Sequence, residues 1–327
     1  MSWVINKKPK KMKIAIWLLL AALLSSHSSW AQDGRILRKK PFILQEGVFK
    51  EFARRNPEFS QQLRSINFYR ITYLSDGLQV TGYLAEPKEK GTYPCIISNR
   101  GGNREYAQWD TVQLAYTLGR MATWKYVVIA SQYRGNDDGE GKEELGGKDI
   151  QDVLNLIPAL SQVPNADTSR IGIEGGSRGG MMTYLALKNT SRFKAAAVNS
   201  GVANLVTHIK KRPDLESEYT ELIPDYKTNK EAVLKARSAV FWADKMCKTT
   251  PLLIQHGSSD WRVPATEALE LVQKLYACNH PTRFILYEGA THALREVGAQ
   301  YFAEVKRHFD YYVREGKPLP RMEPHGP

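Results

Sequence analysis

Cysteine is scarce in this chain: Cys95, Cys247 and Cys278 are the only three among 327 residues. Three thiols cannot knit a disulfide framework, and none stands at metal-ligand spacing from a second Cys or a His. Whether Cys247 and Cys278 pair is left open by the sequence, while Cys95 falls in an apolar run and reads as a small core filler. Long apolar runs are missing too. The longest, Ile14 to Leu24, is too short to cross a bilayer comfortably. No basic stripe interleaved with aromatics accompanies the net charge of +12, so nucleic-acid binding is not expected. Internal repeats and low-complexity linkers are absent, which leaves one large globular unit.

What is present begins with a leader. Lys7, Lys8, Lys10, Lys11 and Lys13 precede the apolar run, and a small polar stretch ends in "SSWAQ". That order describes a secretory signal peptide over 1–31, cleaved after Ala31 with Ser29 at −3, and implies an exported, periplasmic or extracellular protein. An uncleaved anchor is the alternative. Loss of 1–31 removes five lysines and no acid, lowering the net charge from +12 to +7. The remainder divides into an N-terminal extension 32–65, a main unit 66–316 and a tail 317–327. The extension reads as a helix, "VFKEFARRNP", and a tail.

Two alternating runs, "INFYRITYL" and "LQVTGYLAEP", flank Ser75-Asp76-Gly77 and predict an antiparallel hairpin. Six continuously apolar runs follow, at 93–98, 126–132, 170–175, 193–200, 251–257 and 282–289, as strands covered on both faces should read. Amphipathic helical patterns separate them. This alternation predicts an α/β fold with a doubly wound, mostly parallel sheet. The stretch 202–248 interrupts the rhythm with polar, helical sequence and is expected to form a lid-like insertion.

The stretch "RIGIEGGSRGG" places Ser177 where a strand pattern turns into a helix pattern, fenced by Gly175, Gly176, Gly179 and Gly180. A phosphate loop would need the G-x-G-x-x-G spacing or a Lys-Ser/Thr pair, and both are missing. G-x-S-x-G in this context describes a nucleophile elbow, though a structural glycine turn has the same letters. A serine needs a base. Among seven histidines, His292 lies at the end of the last strand, with His256 a distant second. Asp260 follows the strand "PLLIQHG" and supplies the acid. Ser177, Asp260 and His292 thus stand in the chain order of the α/β-hydrolase triad, each on a later strand end. The oxyanion donors expected are the backbone N–H of Arg178 and one from the loop "NRGGN", Gly102 first and Gly101 next. No metal or organic cofactor is expected.

These motifs, with "QYRGNDDGEG", "GGKDIQDV", "HGSSDWRVP" and "EGATHAL", make the span from Ile66 to Glu315 resemble the catalytic domain of the prolyl oligopeptidase family. The resemblance implies an α/β-hydrolase fold with Ser177 as nucleophile, Asp260 as acid and His292 as base. Arg100 departs from the His or Tyr usual there, so a tyrosine hydroxyl cannot serve as oxyanion donor and the backbone must. The 35 or so residues between leader and hairpin (Gln32 to Ile66) are too few for the β-propeller that family oligopeptidases carry upstream. The activity implied is cleavage of small peptide or aminoacyl bonds. A carboxylesterase on small acyl esters is the alternative, and a non-catalytic binding protein a minor one. The oligomeric state is not legible.

Overall fold

The computed structural model describes residue 1 and residues 33–326, so the expected leader lies outside the described residues except for Met1. The first strand, β1 (Ile36–Pro41), sits in the N-terminal extension, where the sequence suggested only a helix and a tail. Its sequence, ILRKKP, offers no apolar alternation, because it is an edge strand held by backbone pairing to its neighbour. Lys39 and Lys40 on it blunt the exposed edge, and Lys39 pairs with Glu86 at 3.0 Å. Two helices follow, Glu46–Arg55 and Pro57–Leu63, and the second sends Phe59 and Leu63 into the core.

The hairpin forms as read: β2 (Ile66–Ser75) pairs antiparallel with β3 (Leu78–Pro87). Asp76 and Gly77 both take positive φ, 51° and 77°, as a tight hairpin turn requires. The six apolar runs become β4 (Tyr93–Asn99), β5 (Val127–Ser131), β6 (Ala166–Gly176), β7 (Phe193–Asn199), β8 (Leu252–Gly257) and β9 (Thr282–Tyr287). Among the described residues these nine strands form one sheet in the order β1-β2-β3-β5-β4-β6-β7-β8-β9. Pairing is antiparallel from β1 through β3 to β5 and parallel from β5 onward.

Both faces of the sheet are covered. Ile97, Ile173 and Ile254 join one buried cluster, while Ile96, Ala197 and Leu253 join another on the opposite face. The helix Arg178–Asn189 packs on the first face and Gly298–Phe309 on the second. The helix over 111–123 carries a π-helical turn, Leu114–Gly119, which the 3.6-residue pattern did not reveal.

The insertion 202–248 holds the helices Leu205–Lys211, Glu216–Leu222 and Tyr226–Ala236. Its polar reading was incomplete. Val202, Leu205, Ile209, Tyr219, Leu222 and Leu234 are buried in the cluster that contains Ile173 and Ile254. The segment is therefore continuous with the core and is no detachable flap. Cys95 is buried, and burial pushes its thiol up to about 12. Cys247 and Cys278 are free thiols. No described helix is long and apolar enough to cross a membrane, and no described cluster of His, Cys, Asp and Glu could hold a metal.

Candidate active site

Four segments that the sequence singled out meet at the C-terminal edge of the parallel strands. Ser177 follows β6, Asp260 follows β8, His292 follows β9, and the loop 99–104 follows β4. Loop residues at this edge face the crevice in which doubly wound sheets bind ligands.

Ser177 takes φ 56° and ψ −122° between β6 and the helix Arg178–Asn189. That conformation costs an L-residue about 1–3 kcal/mol, so the surroundings must hold it. Its N–H donates to Asn199 O at 3.0 Å, and its carbonyl accepts from Gly180 N at 3.0 Å and Val202 N at 3.2 Å. The glycines permit close contact on every side. A Cβ on Gly179 would stand 2.0 Å from Asn99 O, one on Gly175 2.3 Å from Gly179 O, and one on Gly180 2.6 Å from Gly201 Cα. A Cβ on Gly176 would press on the Asn199 side chain at 2.8 Å. Replacement of Gly175 or Gly179 drives a Cβ into backbone, so there the strand, helix and loop must move apart.

Asp260 is buried and fully engaged. Its Oδ1 accepts from Arg262 N at 2.9 Å and Val263 N at 3.0 Å, and its Oδ2 lies 2.7 Å from His292 Nδ1. Burial opposes its charge, but hydrogen bonds with His256 and His292 outweigh that and hold the carboxyl well below the usual carboxylate range. His256, the second candidate base, is wholly buried, with Nε2 2.8 Å from Val263 O and 3.3 Å from Asp260 Oδ2. It backs the acid and has no access to substrate. His292 is partly exposed. Among the described residues no hydrogen bond joins Ser177 Oγ to His292; the pair brought into direct contact is His292 and Asp260. Three other histidines serve packing or pairing: His308 Nε2 meets Pro251 O at 3.2 Å, His280 Nδ1 meets Thr282 Oγ1 at 3.0 Å, and His208 Nδ1 meets Glu267 at 2.9 Å.

Gly101 packs against the elbow, since a Cβ there would lie 3.4 Å from Ser177 Cβ. Gly102 takes φ 61°, a conformation suited to glycine. Among the described residues the N–H groups of Gly101, Gly102 and Arg178 donate to no protein acceptor. Behind the loop lies a buried charge network that sequence reasoning missed. The Arg178 guanidinium pairs with Glu143 and Asp149 and lies 4.5 Å over the Tyr133 ring. Arg100, 5.3 Å from the Tyr133 ring, points inward and donates to the carbonyls of Gln132, Arg104 and Tyr106 at 3.0–3.2 Å. The only signal was the charge-rich run "GEGKEELGGKD", and nothing in its spacing pointed to Arg178.

A cavity of about 330 Å³ opens beside Ser177. Leu145, Met181 and Val263 supply one part of its wall, and the insertion supplies Leu205, Arg212, Glu218 and Tyr219. Trp261 stands at its rim, exposed, with the guanidinium groups of Arg212 and Arg262 each 5.2 Å from its ring.

The fold and the matches below define an α/β hydrolase. The family model "Prolyl oligopeptidase family" matches residues 112–317, and the chain belongs to that family. It is a serine peptidase of the family. It is 32% identical over 240 residues to the uncharacterized peptidase YtmA of Bacillus subtilis (strain 168), covering 73% of this chain and 90% of that one. It is 27% identical to the acylamino-acid-releasing enzyme of Sus scrofa, over 68% of this chain and 32% of the relative. Among solved structures, Pyrococcus horikoshii acylaminoacyl peptidase superposes with a TM-score of 0.66 at 24% identity, over 79% of this chain and 44% of that one. A Mycobacterium tuberculosis puromycin-hydrolyzing peptidase gives 0.63 at 24%, over 72% and 38%. The chain thus spans nearly all of the first relative and under half of the other three.

Proposed function

We propose that this chain hydrolyses small peptide or aminoacyl bonds through an acyl-enzyme on Ser177. The observation that carries this reading is the 2.7 Å contact of His292 with Asp260 at the strand-end edge that holds the Ser177 elbow. In the proposed cycle, Ser177 Oγ attacks the substrate carbonyl as His292 Nε2 takes its proton. The Nδ1–H of His292 donates to Asp260, which fixes the tautomer and stabilises the imidazolium. The N–H groups of Arg178 and Gly102, with Gly101 next, receive the oxyanion, assisted by the N-terminal end of the helix Arg178–Asn189. His292 then protonates the departing amine, and water attacks the acyl-enzyme by the same steps in reverse. The hydrolase unit is assigned to 66–316, with β1 of the extension pairing at its sheet edge and 202–248 shaping the cavity.

The cavity has room for one or two residues, and relatives named for acylaminoacyl release support an aminoacyl substrate. Its apolar wall of Leu145, Met181 and Val263 would also take a short acyl chain, which favours ester hydrolysis as the second reading. Turnover of aminoacyl anilides compared with short-chain acyl esters decides between them: ester cleavage with no detectable amide cleavage overturns the first. Fluorophosphonate labelling tests the nucleophile. Label that persists after Ser177→Ala refutes the assignment. Export is proposed from the leader, and the N-terminus of the mature protein should read Gln32.

A further inference from the structure

In the loop after β4 the carbonyls of Arg100, Gly101, Gly102 and Arg104 and the N–H of Arg104 are each held by a buried side chain. Tyr133 Oη donates to Arg100 O at 3.0 Å, Arg100 Nη1 to Gly101 O at 3.4 Å, and Arg178 Nη1 to Gly102 O at 3.0 Å. Glu143, which pairs with Arg178, accepts from the Arg104 N–H, and Arg100 Nη2 donates to Arg104 O at 3.0 Å. In a trans peptide the N–H points opposite to the C=O of the same unit. Holding the carbonyls of Arg100 and Gly101 inward therefore turns the N–H groups of Gly101 and Gly102 outward.

We infer that Arg178 is a positioning residue: its backbone N–H is one oxyanion donor, and its guanidinium, with Tyr133 and Arg100, aims the loop that carries the other. The inference rests on the proposed acyl-transfer reading. Three features set this arrangement apart from ordinary packing. Two cations, Arg100 and Arg178, face two anions, Glu143 and Asp149, so the buried group is neutral as a whole. Burial, and then the neighbouring charge of Arg178, lowers Arg100 to about 10. Burial works against the charge of Glu143, yet Arg178 outweighs it and keeps that carboxyl below its usual range. Tyr133 itself takes φ 63°, an unfavourable backbone for a bulky residue, and that backbone presents its ring to both guanidinium groups.

The arrangement accounts for the departure at Arg100. The side chain at that position sends nothing to substrate; it ties down the backbone that does. Fixed donors matter because an oxyanion hole works only when no reorganisation is needed as charge develops. A loop free to rotate one peptide would lose a donor at that moment.

The test compares Arg178→Met, Tyr133→Phe and Glu143→Gln with wild-type mature protein, using an aminoacyl anilide and a peptide aldehyde. Ser177 adds to the aldehyde and places an oxyanion in the hole, whereas KM reports ground-state binding in large part. Arg178→Met should lower kcat and aldehyde affinity together by about 10²–10³-fold, with KM changed by less than about threefold. Tyr133→Phe removes one hydroxyl and should cost about tenfold on the same two readouts. If Arg178→Met fails to fold, the other two variants carry the test. A folded variant set that keeps kcat and aldehyde affinity near wild type, or loses kcat with aldehyde affinity intact, overturns the inference. Wild-type protein that does not label at Ser177 overturns the hydrolase reading instead, so the two failures are distinguishable.

Discussion

The two flanks of Ser177 are built on opposite plans. On one flank His292 hangs, among the described residues, from a single 2.7 Å bond to Asp260 and is partly open to solvent. On the other, the loop 99–104 is held by the buried Arg178, Glu143 and Tyr133 and by its own Arg100 side chain, with Asp149 pairing Arg178 from behind. A base must accept a proton, turn slightly and give it up, so one firm bond at the far nitrogen is enough. A donor pair must meet a charge that forms at a fixed point, so rigidity is the requirement. In the proposed cycle the looser attachment falls where a proton travels and the tighter one where charge appears.

The largest break of this comparison should come on the mobile flank. Asp260→Asn keeps the shape but offers an amide N–H to His292 and stabilises the wrong tautomer; kcat on an aminoacyl anilide should fall about 10⁴-fold. A fall under tenfold would mean that His292 is held by something else. Gly179→Ala attacks the junction of both flanks, because the new Cβ would sit 2.0 Å from Asn99 O. Urea unfolding should show a loss of about 3 kcal/mol or more, and labelling should fall with it.

Glu174, three residues before the serine, sharpens the comparison from beneath. It is buried, its main partner is the Ser98 hydroxyl, and burial raises it from 4.5 to about 7. The unfolded chain ionises near 4.5, so between there and 7 the folded state binds the extra proton and stability is lost as pH rises. Glu174→Gln should remove that loss: its stability relative to wild type should climb across this window by about 3 kcal/mol and then level off. A difference independent of pH would refute it. The smallest effect belongs to the exposed Arg104–Glu221 pair, which ties the insertion to the loop. Glu221→Ala should change stability by less than about 1 kcal/mol, read by thermal melting.

The parallel strands were legible because covering both faces demands unbroken apolar runs such as "YVVIASQ". The residues proposed as nucleophile, acid and base could be named from the sequence because a G-x-S-x-G turn and two strand-end residues leave local marks. β1 was hidden, since an edge strand needs backbone partners more than apolar side chains, and Lys39 and Lys40 are tolerable there. The network behind the loop was hidden for another reason. Glu143 and Asp149 reach Arg178 across 35 and 29 residues from a loop with no periodicity, so only the folded chain relates them. For Arg178 the sequence suggested a role for the backbone N–H and was silent about the side chain.

The insertion 202–248 leaves one further mark on this protein. Leu205 and Tyr219 line the cavity and also belong to the buried core. On the proposed function, choice of substrate and ability to fold share these residues, and changing Leu205 or Tyr219 in the cavity also disturbs the core. A change of preference in this scaffold should arrive as compensated pairs, one residue toward the substrate and one toward the sheet. Wholesale exchange of the segment between relatives should yield misfolded chains more often than new specificities.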